Sequence, residues 1–407
     1  MLKILLFFLI PISLFSQGEF VEIQAPKNIK TIQLFNINNQ NHNSIIGFDE
    51  KLIISFDDIE SQYQRFYFTI KHYDKNWKES DLMESQYIEG FFYDEITHFQ
   101  PSFNTVQNYL HYTFEFPSAN LKPKISGNYA LIVYTTNKNK PIFTQRISIY
   151  ESIAKVGLQQ DIFNAGSQNL PNQIIRTQCM IPNVNQYQNQ NISLQLLQNY
   201  NWNSIKDSKP QFIQTNGYEF NQLENVFYGG NEYYFFDTKN LNIAGLTTER
   251  LVKNDLFEAY LYINHAYPTD YEFNPDLDGE YYIRRNDLGT ERDASIEGDY
   301  IWVNFAINQP KTDADIYVVG RFNNEICNED SKMIYNENLN VYEKSILLKQ
   351  GYYNYKFKIK SSKIANEDEL NGNFWETKNS YQALIFYKDF INNFDRILGF
   401  GEIIQPK

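Results

Sequence analysis

Phe66, Phe68, Ile70 and His72 alternate with Tyr67, Thr69, Lys71 and Tyr73, so an extended chain puts the two sets on opposite faces. A period of two marks a half-buried strand; an amphipathic helix would repeat every 3.6 residues. Similar runs lie at Thr31–Phe35, Lys51–Phe56, His111–Phe116, Asn128–Tyr134 and Ile142–Tyr150, each bounded by Asn, Asp, Gly or Pro. The pattern continues at Ile174–Met180, Ile192–Gln198, Phe212–Gln214, Tyr233–Asp237 and Ala259–Ile263. It returns at Tyr300–Ile307, Asp315–Val319, Val341–Leu348, Tyr353–Lys360 and Gln382–Tyr387. No long helical period occurs, and Asp389–Ile397 is the one place where a short helical turn is expected. The 31 Tyr, 32 Phe and 4 Trp suit pleated, half-buried surfaces. The expected fold class is therefore all-β, built from tandem immunoglobulin/fibronectin-III-like β-sandwich domains.

With 407 residues the chain has room for about three such domains at roughly 100–150 residues each. Turn-rich and polar stretches divide it into 17–150, a β-rich middle domain 151–286, and 287–407. The dense Asn and Gln from Asn183 to Asn191 reads as a solvated loop between strands. Residues 1–16 stand apart. Lys3 precedes the apolar stretch Ile4–Ile10, Pro11 ends it, and Ser16 followed by Gln17 forms a plausible cleavage point. That is the grammar of an export signal, too short for the about twenty apolar residues of a membrane span. An exported, periplasmic and soluble mature protein is expected, without direct membrane insertion.

A formal net charge of −13 disfavours nucleic acid and anionic lipid, which are bound chiefly through Lys and Arg. Cys179 and Cys327 are far apart in sequence and form no CxxC pair, so two independent buried thiols are expected. The chain contains no nucleophile elbow, P-loop, dinucleotide fingerprint or HExxH motif. Of five histidines, His72 and His111 fall in strands, where structural roles prevail. Asp276, Asp278 and Gly279 resemble part of a calcium loop but lack its distal ligands, and so read as a turn. Asp57 and Asp58 are a carboxylate pair only on paper, because sequence gives no spacing between them. Trp302, between Ile301 and Val303, is expected to be buried on one face, and Trp375 to be the more exposed. No catalytic residue, cofactor, metal or small-molecule substrate is expected.

Two resemblances go further. The succession DIYVVGRFN (Asp315–Asn323), VYEKSILLKQGYYNYKFKI (Val341–Ile359) and NGNFWETKNSYQALIFY (Asn371–Tyr387) resembles early-set immunoglobulin-like modules that accompany glycogen-processing enzymes. Those modules continue the Gly–Phe–Asn turn into a sugar-stacking Trp, where this chain has Asn324 and Glu325. The resemblance implies the fold, with periplasmic glycan binding as the alternative function. Nearly the whole mature chain also resembles the plug protein family of the bacterial type IX secretion system. The residues that carry this are HYDKNWKESDLMESQYIEGFFYDEI (His72–Ile96), PSFNTVQNYLHYTFEFP and SGNYALIVY, then QNYNWNSIKDSKPQFI and FYGGNEYYFFD, then GDYIWVNFAI and LLKQGYYNY. Trp77, Gly90, Phe103, Asn104, Thr105, Gly230, Asn231 and Gly351 stand out within these segments, as structural or partner-contact residues. The resemblance implies a non-enzymatic periplasmic subunit whose partner is the outer-membrane translocon barrel. It would close the barrel's periplasmic end when no substrate is passing.

Overall fold

The computed structural model describes residues 19–38, 41–161, 172–182, 189–214, 217–287, 289–364 and 366–404. The expected leader and its cleavage point, Ser16 and Gln17, lie outside these residues, as does 183–188 of the Asn/Gln-rich stretch. Strand makes up 53% of the chain and helix 5%, so the fold is all-β, in stacked sandwiches.

In the first sandwich a four-stranded sheet runs Ile29–Asn36, Leu52–Asp58, Leu110–Phe116, His98–Pro101. It faces a five-stranded sheet in the order Ile45–Gly47, Phe143–Tyr150, Gly127–Tyr134, Phe66–Tyr73, Asp94–Ile96. The alternation read from sequence places Phe66, Phe68 and Ile70 inside, in one core with Leu52, Ile54 and Phe56 from the opposing sheet. Phe56 stacks on Tyr112 at 5.1 Å and meets Phe66 edge-on at 5.1 Å. Each such fully buried ring contributes about 1.5–3 kcal/mol.

The other two sandwiches do not follow a boundary between 286 and 287. Ile192–Gln198 pairs antiparallel with Ser380–Asp389, from Ile192↔Tyr387 to Gln198↔Tyr381, and Ser380–Asp389 pairs in turn with Phe394–Ile404. Ile192, Leu194 and Leu196 share a core with Tyr381, Ala383, Ile385 and Leu398. The C-terminal hairpin is thus part of the middle sandwich, and the third sandwich is inserted between its strands. Tyr234–Asp237, Thr248–Lys253 and Phe257–Leu261, expected in the middle domain, belong to sheets of the third. They supply Phe236, Ala259 and Leu261 to a core with Ile301, Val303 and Phe357. Strand pairing is non-local, and a linear cut cannot represent a chain that leaves a sheet and returns to it.

Asp389–Ile397 forms no helix. Asp389 Oδ1 accepts the Ile391 and Asn392 amides at 3.0 Å each, and Asn393 takes a φ of 61°, turning the chain tightly between the two strands. Trp302 is 40% exposed, because burial of Ile301 and Val303 sends the residue between them to the outer face.

Candidate functional site

The chemistry-bearing side chains gather where sandwiches meet. Asp57 follows Phe56 on its strand and therefore points away from the first core, yet its side chain is fully buried. The third sandwich covers it. Cross-strand register places His111 opposite Asp57 on the first sandwich and Lys349 opposite Tyr300 on the third, and the two pairs meet face to face. Asp57 Oδ2 accepts from Lys349 Nζ at 2.7 Å and from the Tyr300 hydroxyl at 2.6 Å. Asp57 Oδ1 lies 2.6 Å from His111 Nδ1. Lys349 also donates to the Ser295 carbonyl at 2.7 Å and lies 4.1 Å from the centre of the Tyr109 ring. Burial alone would raise the Asp57 carboxyl, but Lys349 and His111 outweigh it and hold the acid below its ordinary value. A His–Asp–Tyr–Lys set resembles acid–base machinery in composition, but here it is sealed inside a junction and acts as a tie.

Arg321 ties all three sandwiches. Its guanidinium pairs with Glu280, donates to the His42 carbonyl at 2.8 Å and the Asn199 carbonyl at 2.6 Å, and lies 5.1 Å from the Tyr200 ring centre. Burial, followed by the nearby Arg321 charge, pushes His42 down to about 4, so its ring stays neutral. Next to Arg321, the Asn324 amide bonds Glu22, while Glu325 accepts from Tyr233, Lys358 and Asn201 at 2.6–3.0 Å. A cleft of about 210 Å³ remains beside these groups, with Glu22, Arg146 and Trp202 on its walls. The turn that would present a sugar platform in an early-set module is therefore packed against the first and middle sandwiches.

Most of the residues singled out from sequence lie at these junctions. Asp74 Oδ1 accepts the Asn76 and Lys78 amides, a turn that leaves Trp77 at φ 58°. The Trp77 indole is buried 5.3 Å from Phe20 and 5.3 Å from Trp202 of the middle sandwich, with Arg146 stacked at 4.8 Å. Phe103, Asn104 and Thr105 form a loop closed on itself through Thr105 to Ser102 at 3.0 Å. That loop docks on the third sandwich: the Phe103 amide donates to the Ile296 carbonyl at 2.8 Å, Arg285 donates to the Asn104 carbonyl at 3.3 Å, and the Val106 amide donates to Asp299 at 2.5 Å. The Phe103 ring itself is exposed.

Gly230 and Asn231 pin the passage from middle to third sandwich. The Gly230 amide donates to Asn373 at 2.8 Å, and Asn231 Nδ2 donates to the Asn371 carbonyl at 2.9 Å. Gly90 and Gly351 are steric requirements of their own turns. At Gly90 (φ 94°) an added Cβ would lie 2.1 Å from the Asn120 carbonyl oxygen, and at Gly351 it would lie 2.3 Å from that of Tyr282.

The remaining candidates resolve into structural roles. Asp276 accepts the Tyr233 amide at 2.5 Å and the Asp278 amide at 3.2 Å, and Asp278 and Gly279 both have positive φ, as a turn requires. His72 is buried, and burial pushes it down to about 4. Cys179 is buried, Cys327 half-buried, and they are unpaired. Trp375 is exposed, and its carbonyl accepts from Gln173 at 2.8 Å. Sequence reasoning missed Arg321, Lys349 and Tyr300. The one available signal was Lys349 directly after the apolar run Ile346–Leu348 of its strand.

Residues 29–151 match the family described as type 9 secretion system plug protein, 1st domain. Among solved structures, a hypothetical protein from Parabacteroides merdae ATCC 43184 is similar at 25% identity and a TM-score of 0.88. The match covers 95% of this chain and 100% of that one. No curated protein matches the chain.

Proposed function

Through residues 29–151 this chain belongs to the type 9 secretion system plug protein family, and from that premise we propose that it closes the periplasmic end of the translocon barrel while no substrate is passing. Family membership supports a non-catalytic role connected with type 9 secretion in the cell envelope. The observation that carries the finer reading is the fastening of three sandwiches by buried ties, Asp57–Lys349 between first and third and Arg321 among all three. A stopper must keep its shape under load, and packed sandwiches joined by such ties present preformed surfaces at low ordering cost.

A wide barrel has a polar, water-filled lumen that leaks solutes unless something fills it. Tyr, Asn and Gln side chains can meet such a wall by hydrogen bonding without trapping unpaired charge. Release then requires the translocon to change shape, since a ligand shifts an equilibrium only through unequal affinity for its states. No helix among the described residues is long and apolar enough to cross a membrane, which suits a subunit that docks on a barrel. The Lys3–Ser16 leader would deliver it to the periplasm, with cleavage before Gln17.

The test is deletion of the gene with the translocon retained. Entry of large hydrophilic dyes and antibiotics should rise and return to normal on complementation. Unchanged entry, with the barrel confirmed in the outer membrane, would refute the stopper role. Tight, Trp375-dependent binding of starch or cell-wall glycan by the purified protein would favour a glycan-binding function instead.

A further inference from the structure

A cleft of about 350 Å³ opens on the third sandwich, beside Asn231 at the passage from the middle sandwich. One wall is the strand Tyr234–Asp237, which sits at the edge of its sheet and pairs on one side only, with Gly351–Lys360. Thr238, one residue beyond that strand, donates its amide to the Gly351 carbonyl at 2.9 Å, which fixes the phase of the ladder. Antiparallel pairing alternates, so the N–H and C=O of Phe235 point away from the partner strand, toward the open edge. Beside Asp237 the edge is closed by the chain at Gly245, where an added Cβ would lie 2.9 Å from the Asp237 carbonyl oxygen. The open stretch is therefore that of Phe235, which lines the cleft.

The rest of the lining combines apolar surface with negative charge. Leu246, Tyr262 and Ile263 line the cleft and are 93%, 57% and 47% exposed. Asp270 and Glu272 are also in the lining and exposed, and no Lys, Arg or His is among the lining residues. Glu232, also in the lining, is engaged by the Tyr271 hydroxyl at 2.7 Å and the Lys378 amide at 3.0 Å. That leaves Asp270 and Glu272 as the carboxylates facing a newcomer. An unpaired strand edge offers main-chain hydrogen bonds to an extended chain, and side chains of alternate residues then fill the flanking surface. Uncompensated carboxylates select the sign of the incoming charge.

We propose that this edge cleft is a docking site for an extended, basic segment of a protein partner, which adds as a strand beside Phe235 and places Lys or Arg near Asp270 and Glu272. The site includes none of Asp57, Lys349 and Arg321, and it stands whether or not the chain acts as a stopper.

The test uses the purified mature chain and two capped octapeptides, one alternating valine with lysine and one alternating valine with glutamate. In an isotope-labelled titration the lysine peptide should bind with a Kd of about 0.1–1 mM at low salt, a range typical of weak encounters. It should shift the Phe235 amide resonance and protect it from hydrogen exchange. Asp270→Asn combined with Glu272→Gln, both at exposed positions where the fold is not at stake, should weaken binding roughly three- to tenfold. Backbone N-methylation of the peptide at its pairing positions should abolish binding. The proposal is overturned if neither peptide binds, if the glutamate peptide binds as well as the lysine one, or if the double substitution leaves the affinity unchanged. None of these results bears on outer-membrane permeability, so failure here is distinguishable from failure of the stopper reading.

Discussion

Replacing Lys349 with Met keeps most of the side-chain volume and removes the charge that neutralises Asp57. The two groups are 2.7 Å apart with side-chain exposures of 1% and 0%, so water cannot replace the lost partner. Removing one member of a buried pair costs about 3–5 kcal/mol, against about 1 kcal/mol or less for an exposed pair. Because the pair spans the first and third sandwiches, the loss should fall on their coupling. Urea unfolding followed by fluorescence should change from one cooperative transition to two.

The pH dependence should change sign as well. In the parent, burial would raise the Asp57 carboxyl, but Lys349 and His111 hold it below the ordinary 3.8. A depressed folded value contributes stability that is complete above about 3.8 and is lost as pH falls through the folded value. In Lys349→Met only His111 remains to oppose burial, and the folded value should rise above 3.8. That group's contribution is then largest below about 3.8 and declines as pH climbs through the raised value. Adding Asp57→Asn should restore most of the lost stability, because the cost lies in the unpaired charge rather than in the missing contact. A Lys349→Met protein within about 1 kcal/mol of the parent, with an unchanged pH profile, would refute the assignment of this pair as an interdomain tie.

Trp77→Ala should cost about 3–5 kcal/mol and speed amide exchange in Asn201–Ser208, the middle-sandwich strand that carries Trp202; unchanged exchange there would mean that the indole stabilises the first sandwich alone. Gly90→Ala should destabilise by about 3 kcal/mol or more, since φ 94° and the 2.1 Å approach to Asn120 both oppose a Cβ, and a calorimetric scan reads the loss directly. Burial pushes the Cys179 thiol up to about 12, so a thiol reagent at pH 8 should label half-buried Cys327 well before Cys179 in the folded protein; equal labelling rates, followed by mass spectrometry, would contradict the packing around Cys179.

Strands were legible wherever one face was buried and the other wet, as in Phe66–Tyr73, because alternation is a local consequence of burial. Which strands share a sheet was not legible. Ser380–Asp389 carries the same apolar pattern as any central strand, and nothing in it states that its neighbour lies at Ile192–Gln198. The helical turn expected at Asp389–Ile397 failed for a similar reason: Asp389 and Asn393 are turn formers, and the strands on either side decided the outcome.

At the junctions the family resemblance drew attention to Trp77 and to Phe103, Asn104 and Thr105. Its motifs GDYIWVNFAI and LLKQGYYNY carry Tyr300 and Lys349 without marking either as a partner of Asp57. Asp57 looked like one acid among many until Lys349 and Tyr300 were brought against it from 292 and 243 residues away in the chain. A buried ion pair between domains leaves no periodic trace in either segment, and only tertiary structure brings its members together.

In the proposed role, a rigid, three-sandwich body fills the mouth of a translocon pore. Ionic conductance through the purified outer-membrane barrel in a planar bilayer tests it most directly, recorded before and after the mature protein is added to the periplasmic side. Conductance should fall to near the bilayer baseline on addition and recover when the protein is washed away. Conductance that stays high while the protein is demonstrably bound to the barrel would contradict it.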